Sequence, residues 1–149
     1  MRIIETQPNT QVAIDLMEEL SRSLENITGN SGKASFASND ICVPRALFVV
    51  AYDEAGKAIG CGAIRPISED IAEVKRMFAK TKANGIGSEI LQYLEKQAQK
   101  LGYSTLWLET RIINKRAVAF YESRGYYRIP NYGKYVNMAE AVCFEKKII

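Results

Sequence analysis

At 149 residues, 47% hydrophobic and 25% charged, the chain suits one domain, residues 1–149; its core can bury about 70% of the extended surface without a disulfide or metal staple. Its net charge of +3, from 20 basic and 17 acidic residues spread along the sequence, is too small to mark a nucleic-acid binder. There is no histidine, which removes Ser-His-Asp and Cys-His catalysis, His-ligated zinc and a histidine base, and leaves acid–base chemistry to carboxylates, Tyr, Lys, Cys or the chain terminus.

Residues 2–6 read as a short strand. They contain no signal-peptide core and reach Glu5 at once. After a turn at Pro8, Asn9 and Thr10, the apolar residues Val12, Leu16, Leu20 and Leu24 recur every fourth position. That period predicts an amphipathic helix, which Gly29 ends. Residues 28–40, rich in Ser, Asn and Gly, read as a mobile loop or short helix. Residues 46–52 form the longest apolar run, a central strand buried on both faces and far too short to cross a bilayer. A turn over 53–57 and a returning strand over 58–67 follow. Gly60 and Gly62 within it predict a bulge or the close packing of another backbone. A third strand over 71–79 completes an antiparallel meander.

The period then changes. Ile86, Ile90, Leu91, Leu94, Ala98 and Leu101 share one helical face over 85–101, with Gly102 past its end. A strand follows over 105–110, then a short helix over 114–124 capped by Asn114 and stopped by Gly125. Residues 127–137 are aromatic and turn-rich, and 140–147 make a last strand. The order β-α-β-β-β-α-β-α-β predicts an α+β fold with a mixed, mostly antiparallel sheet flanked by helices. Cys42, Cys61 and Cys143 form no CxxC pair. They read as reduced, half-buried small hydrophobes, and a disulfide-free chain is expected to be cytoplasmic.

Lys82-Ala83-Asn84-Gly85-Ile86-Gly87-Ser88 lies between a strand and an amphipathic helix. A helix N-terminus presents unpaired N–H groups and a partial positive charge, and glycines let a phosphate approach the backbone. The other reading is a glycine turn before a helix. The segment is neither a Walker A motif nor a dinucleotide fingerprint.

In this context, Lys82 to Gly87 resembles the acetyl-CoA signature of the GNAT N-acetyltransferases, Arg/Gln-x-x-Gly-x-Gly/Ala, with Lys82 in place of Arg or Gln. The resemblance extends to Ala72-Glu73-Val74-Lys75-Arg76-Met77-Phe78, to Leu106-Trp107-Leu108-Glu109-Thr110, and to Asn114 with Ala117-Val-Ala-Phe-Tyr121-Glu-Ser-Arg-Gly125. It implies acetyl transfer from acetyl-CoA to an amine, with no metal. The acceptor it implies is a small-molecule or amino-acid-like primary amine that attacks directly in a ternary complex. It implies cofactor contacts from Met77, Phe78 and Ala79, from Lys82, Ala83, Asn84, Gly85, Ile86, Gly87 and Ser88, and from Asn114, Ala117 and Tyr121. The Met77 N–H is the candidate oxyanion donor and Tyr121 the candidate acid.

Glu73 is the candidate base. A carboxylate mid-strand beside apolar residues is unusual, and strict alternation places it on one face with Lys75 and Met77. Its alternative role is an ion pair with Lys75 or an arginine of the next strand. Tyr132 and Tyr135 belong to an aromatic loop, with Tyr126 and Tyr127, that would border the acceptor. Arg65 and Arg111 are candidates to hold an acceptor carboxylate. No nucleic acid or membrane partner is expected, and the chain is expected to be a monomer or homodimer. Two alternatives remain: a non-catalytic acetyl-CoA-binding sensor, and an acetyltransferase acting on protein lysines or N-termini. The acceptor itself is not legible.

Overall fold

The computed structural model of the protein describes residues 1–33, 38–81 and 85–149. Strand β1 (Arg2–Thr6) leads into helix α1 (Gln11–Thr28), and β2 (Leu47–Tyr52), β3 (Ala58–Pro66) and β4 (Ile71–Ala79) follow as a meander. Helix α2 (Ile86–Lys100), β5 (Thr105–Arg111), α3 (Lys115–Ser123), β6 (Tyr127–Ile129) and β7 (Ala141–Lys147) complete the chain. Single 3₁₀ turns occupy Ser38–Ile41, within the segment read as a loop or short helix, and Gly133–Tyr135. The expected order is present with one addition, β6. Its three residues are too few for alternation to show, and it becomes a strand by pairing with β7.

Local chemistry sets the helix ends. The Ala13 N–H donates to the Thr10 hydroxyl at 3.3 Å and opens α1, while Gly29, at φ 80°, closes it. Asn114 caps α3 by accepting from the Ala117 N–H at 3.3 Å. The strands form one sheet in the order β1-β2-β3-β4-β5-β7-β6. All pairs are antiparallel except β4 with β5.

Helix α1 covers one face of the sheet, packing over Phe48, Val50, Cys61 and Ala63. Helices α2 and α3 cover the other, where Val49, Ile64, Ala72, Val74, Ile90, Leu94 and Leu108 form the larger core. Strand β2 is therefore buried on both sides, as its apolar run predicts. A Cβ on Gly60 would stand 2.6 Å from the Phe78 carbonyl oxygen and 2.8 Å from Ile90 Cδ1. One on Gly62 would stand 2.8 Å from Met77 Sδ. Side chains there would force β4 and α2 away from β3.

Strand β4 carries a bulge. Cys61 pairs with Phe78 and Ala63 with Lys75, so Arg76 and Met77 both face Gly62. Arg76 has φ 54°, a left-handed conformation uncommon for a branched-off long side chain. Hydrogen bonds hold it: its guanidinium donates to the Met17 carbonyl at 3.1 Å and to Ser21 Oγ at 2.8 Å, and its carbonyl accepts from the Cys61 thiol at 3.3 Å. The extra residue resets the alternation. Glu73 and Lys75 stay on the α1 face, but Met77 joins Val74 on the α2 face, packed against that core. The expectation that Glu73, Lys75 and Met77 share a face fails here, because a bulge shifts side chains by one position.

Cys61 and Cys143 are buried rather than half-buried, and Cys42 is exposed. Burial pushes the Cys61 thiol up to about 12.

Candidate active site

The parallel ladder between β4 and β5 is short. Ile71, Ala72 and Glu73 pair with Thr105, Leu106 and Trp107, and the pairing ends there. Both strands continue, β4 to Ala79 and β5 to Arg111. Beyond Glu73 they part, and β4 turns an unpaired backbone edge toward the gap. Such an edge accepts an extended ligand as it would another strand.

Two cavities open from the gap. The larger, about 480 Å³, lies between β4, α2 and α3 and is closed by Leu20, Ser23, Leu24 and Ile27 of α1. Met77, Phe78 and Ala79 line one wall, Gly85, Ile86, Gly87 and Ser88 one end, and Asn114, Ala117, Phe120 and Tyr121 the other wall. The smaller, about 140 Å³, is lined by Lys75, Arg76, Glu109, Thr110 and Arg111, with Leu20 and Leu24 of α1. Met77, Asn114, Ala117 and Tyr121 line both. The structure thus brings these four predicted residues together where the two cavities adjoin, with Leu20 and Leu24 of α1.

At the far end of the larger cavity, Gly85 adopts φ 65° and α2 begins without a side-chain cap. Its first N–H groups are open to an anion. Among the described residues, a Cβ on Gly87 would meet only Phe120, at an ordinary 3.5 Å. Packing therefore admits a side chain at 87, and glycine there costs helix stability without a steric reason from the fold. A ligand's close approach supplies such a reason. Arg116 and Arg124 line the same cavity. Sequence reasoning missed both, although Arg116, Phe120 and Arg124 recur every four residues on one face of α3. Lys82, Ala83 and Asn84 lie outside the described residues.

At the junction, Tyr121 is 8% exposed and packs edge-on against Phe120 and Tyr126. Its hydroxyl takes no hydrogen-bond partner among the described residues, and burial pushes its pKa up, so the phenol keeps its proton. Asn114 serves as helix cap and cavity wall at once.

The acceptor-side residues are arranged differently from expectation. Glu73 is 1% exposed and lines neither cavity. It lies across the ladder from Arg65, whose Nε donates to it at 2.8 Å, and its second oxygen accepts from the Tyr132 hydroxyl. Arg65 also donates to Asp40 at 2.6 Å. The alternative role, an ion pair with a neighbouring-strand arginine, is the one this geometry realises. Tyr132 stacks on Trp107, with ring centroids 4.8 Å apart. The aromatic loop is divided: Tyr126 packs on the α3 side and donates to Glu95 at 2.9 Å, while Tyr132 and Tyr135 back the Glu73–Lys75 side. Neither Tyr132 nor Tyr135 lines a cavity described here.

Lys75 and Glu109 do line the smaller cavity; sequence reasoning gave Glu109 no role and Lys75 only that of a possible ion-pair partner of Glu73. The buried Lys75 ammonium donates to the Tyr135 hydroxyl at 3.2 Å, and burial lowers its pKa. Burial holds the Glu109 carboxyl above the usual carboxylate range, against the pull of Arg111, which donates to it. Both lie on strands next to the Glu73 position and alternate toward the same face.

A sequence model of the acetyltransferase (GNAT) family matches residues 4–126. The IAA acetyltransferase of Azospirillum brasilense is 32% identical over 136 residues, covering 89% of this chain and 88% of its own length. A Klebsiella pneumoniae chain described as an acyl-CoA N-acyltransferase superposes with a TM-score of 0.83 at 25% identity, over 99% of this chain and 97% of that one. An aminoglycoside 6'-N-acetyltransferase complexed with coenzyme A superposes with a TM-score of 0.72 at 21% identity, over 100% and 98%.

Proposed function

The chain belongs to the GNAT acetyltransferase family and is an acetyl-CoA-dependent N-acetyltransferase, and from this we propose that it acetylates the primary amine of a small molecule by direct attack in a ternary complex. The observation that carries the proposal is the parting of β4 and β5 after Glu73, with two adjoining cavities opening from the gap.

The residues present fit acetyl-CoA. The unpaired edge of β4 over Met77, Phe78 and Ala79 would receive the pantetheine amides, and the N-terminus of α2, with Gly85, Ile86, Gly87 and Ser88, would hold the pyrophosphate. Lys82, Ala83 and Asn84 would extend that cradle, and Arg116 and Arg124 would add charge. Acetyl-CoA supplies an activated acetyl group as its thioester. Near the junction the Met77 N–H donates a hydrogen bond where negative charge develops. Tyr121, kept protonated by burial, holds a proton for the departing sulfur.

Glu109 is the better base for the amine. It lines the acceptor compartment, and its raised pKa moves it toward the working pH. Glu73 has both oxygens engaged and orders the wall by tying β3, β4 and the Tyr132 loop together. Cys143 is buried with its thiol pushed up, which argues for direct attack over an acetyl-cysteine route. The test is a thiol-release assay with acetyl-CoA and a panel of amines. Coenzyme A binding without turnover of any amine would favour a sensor role instead.

A further inference from the structure

The smaller cavity has an excess of positive charge at its floor. Lys75 is buried, lines the cavity, and makes no ion pair within 4.0 Å among the described residues; its partner is the neutral Tyr135 hydroxyl. The other charges there are accounted for. Arg111 is bound by Glu109, and Arg76 is tied to α1 through Met17 and Ser21. Arg65, expected to hold an acceptor carboxylate, is already neutralised by Asp40 and Glu73. Glu73 and Glu109 act on the Lys75 ammonium only from beyond contact distance; a buried ammonium with no carboxylate in contact is costly, and an incoming anion relieves that cost.

We infer that the acceptor carries a carboxylate beside its amine, as an α-amino acid does, and that Lys75 with the free donors of Arg111 receives that carboxylate while Glu109 takes the amine's proton. This rests on the reading that the acceptor enters by the smaller cavity. The chemistry balances: the ammonium gives one proton to Glu109, the freed amine nitrogen bonds to the acetyl carbon, the carbon–sulfur bond breaks, Tyr121 protonates the departing thiolate, and the second proton released from the nitrogen restores the phenol. Lys75 touches the part of the acceptor that does not react, so it sets specificity. The same charge excess disfavours polycationic amines, which need carboxylates along their site.

The experiment uses the full chain with saturating acetyl-CoA and matched sets of acceptors: an amino acid, its amide, and the amine lacking the carboxyl group, for small, apolar and polar side chains. The amino acid of each set is expected to exceed the other two in kcat/KM by about tenfold or more, the worth of a charge-assisted hydrogen bond. Lys75→Met is expected to abolish that preference through acceptor KM, and Lys75→Arg to retain part of it. Should Lys75→Met fold poorly, the wild-type comparison alone decides. Equal or better turnover of amides, carboxylate-free amines or a polycationic amine overturns the inference, as does a preference that survives Lys75→Met. Coenzyme A binding with no turnover of any acceptor overturns both the inference and the functional reading on which it rests, whereas equal or better turnover of carboxylate-free amines overturns the inference alone. Failure of coenzyme A binding, read by calorimetry, would instead overturn the functional reading beneath it.

Discussion

Glu73 and Arg65 face each other across the β3–β4 ladder, joined at 2.8 Å, at the last position where β4 still pairs with β5. The ion pair thus stands where the sheet begins to open. Replacing Glu73 by Gln keeps the shape but leaves Arg65 with one carboxylate fewer. The expected loss is about 1–3 kcal/mol of stability, read from the denaturant midpoint. Turnover of the folded variant should fall far less than in Glu109→Gln. A stable Glu73→Gln protein with turnover reduced a hundredfold would return Glu73 to the role of base.

Glu109→Gln removes the carboxylate that lines the smaller cavity. A kcat loss of about 10²–10⁴-fold is expected, with coenzyme A affinity unchanged. The base works deprotonated, and burial raises its pKa. Wild-type kcat/KM should therefore decline as pH falls through that raised value, and this acidic limb should vanish in the variant. A pH–rate profile on both proteins checks it.

Tyr121→Phe removes one hydroxyl from a residue packed between Phe120 and Tyr126. Stability should change little and kcat should fall more than acetyl-CoA affinity. The loss should shrink with a thioester whose leaving thiol has a lower pKa, since that thiolate needs less protonation. An equal loss with both thioesters would make Tyr121 a positioning group.

Gly87 separates packing from ligand binding. Alanine has room beside Phe120 at 3.5 Å and should stabilise α2 by up to about 1 kcal/mol. It should also weaken coenzyme A binding, and Gly87→Glu should abolish it by bulk and charge. Calorimetry showing unchanged affinity in Gly87→Glu would place the pyrophosphate elsewhere.

What the sequence determined is local. Thr10 and Gly29 mark the ends of α1, Asn114 caps α3, and the four-residue apolar period writes the helices. These features depend on neighbours within a turn, so one stretch of chain contains the whole cause. Gly85-Ile86-Gly87 at the start of α2 is of the same kind, and Met77, Asn114, Ala117 and Tyr121 do meet. The tertiary structure decided what depends on distant partners. Residue-by-residue alternation carries no sign of the bulge at Arg76 and Met77, because that bulge is held from α1 and β3. It moves Met77 to the cofactor face and leaves Lys75 on the other. Glu73 takes its place in the wall from Arg65, eight residues away, and Tyr132, 59 residues away. A carboxylate's role follows from which groups surround it, and only the folded sheet brings those groups together.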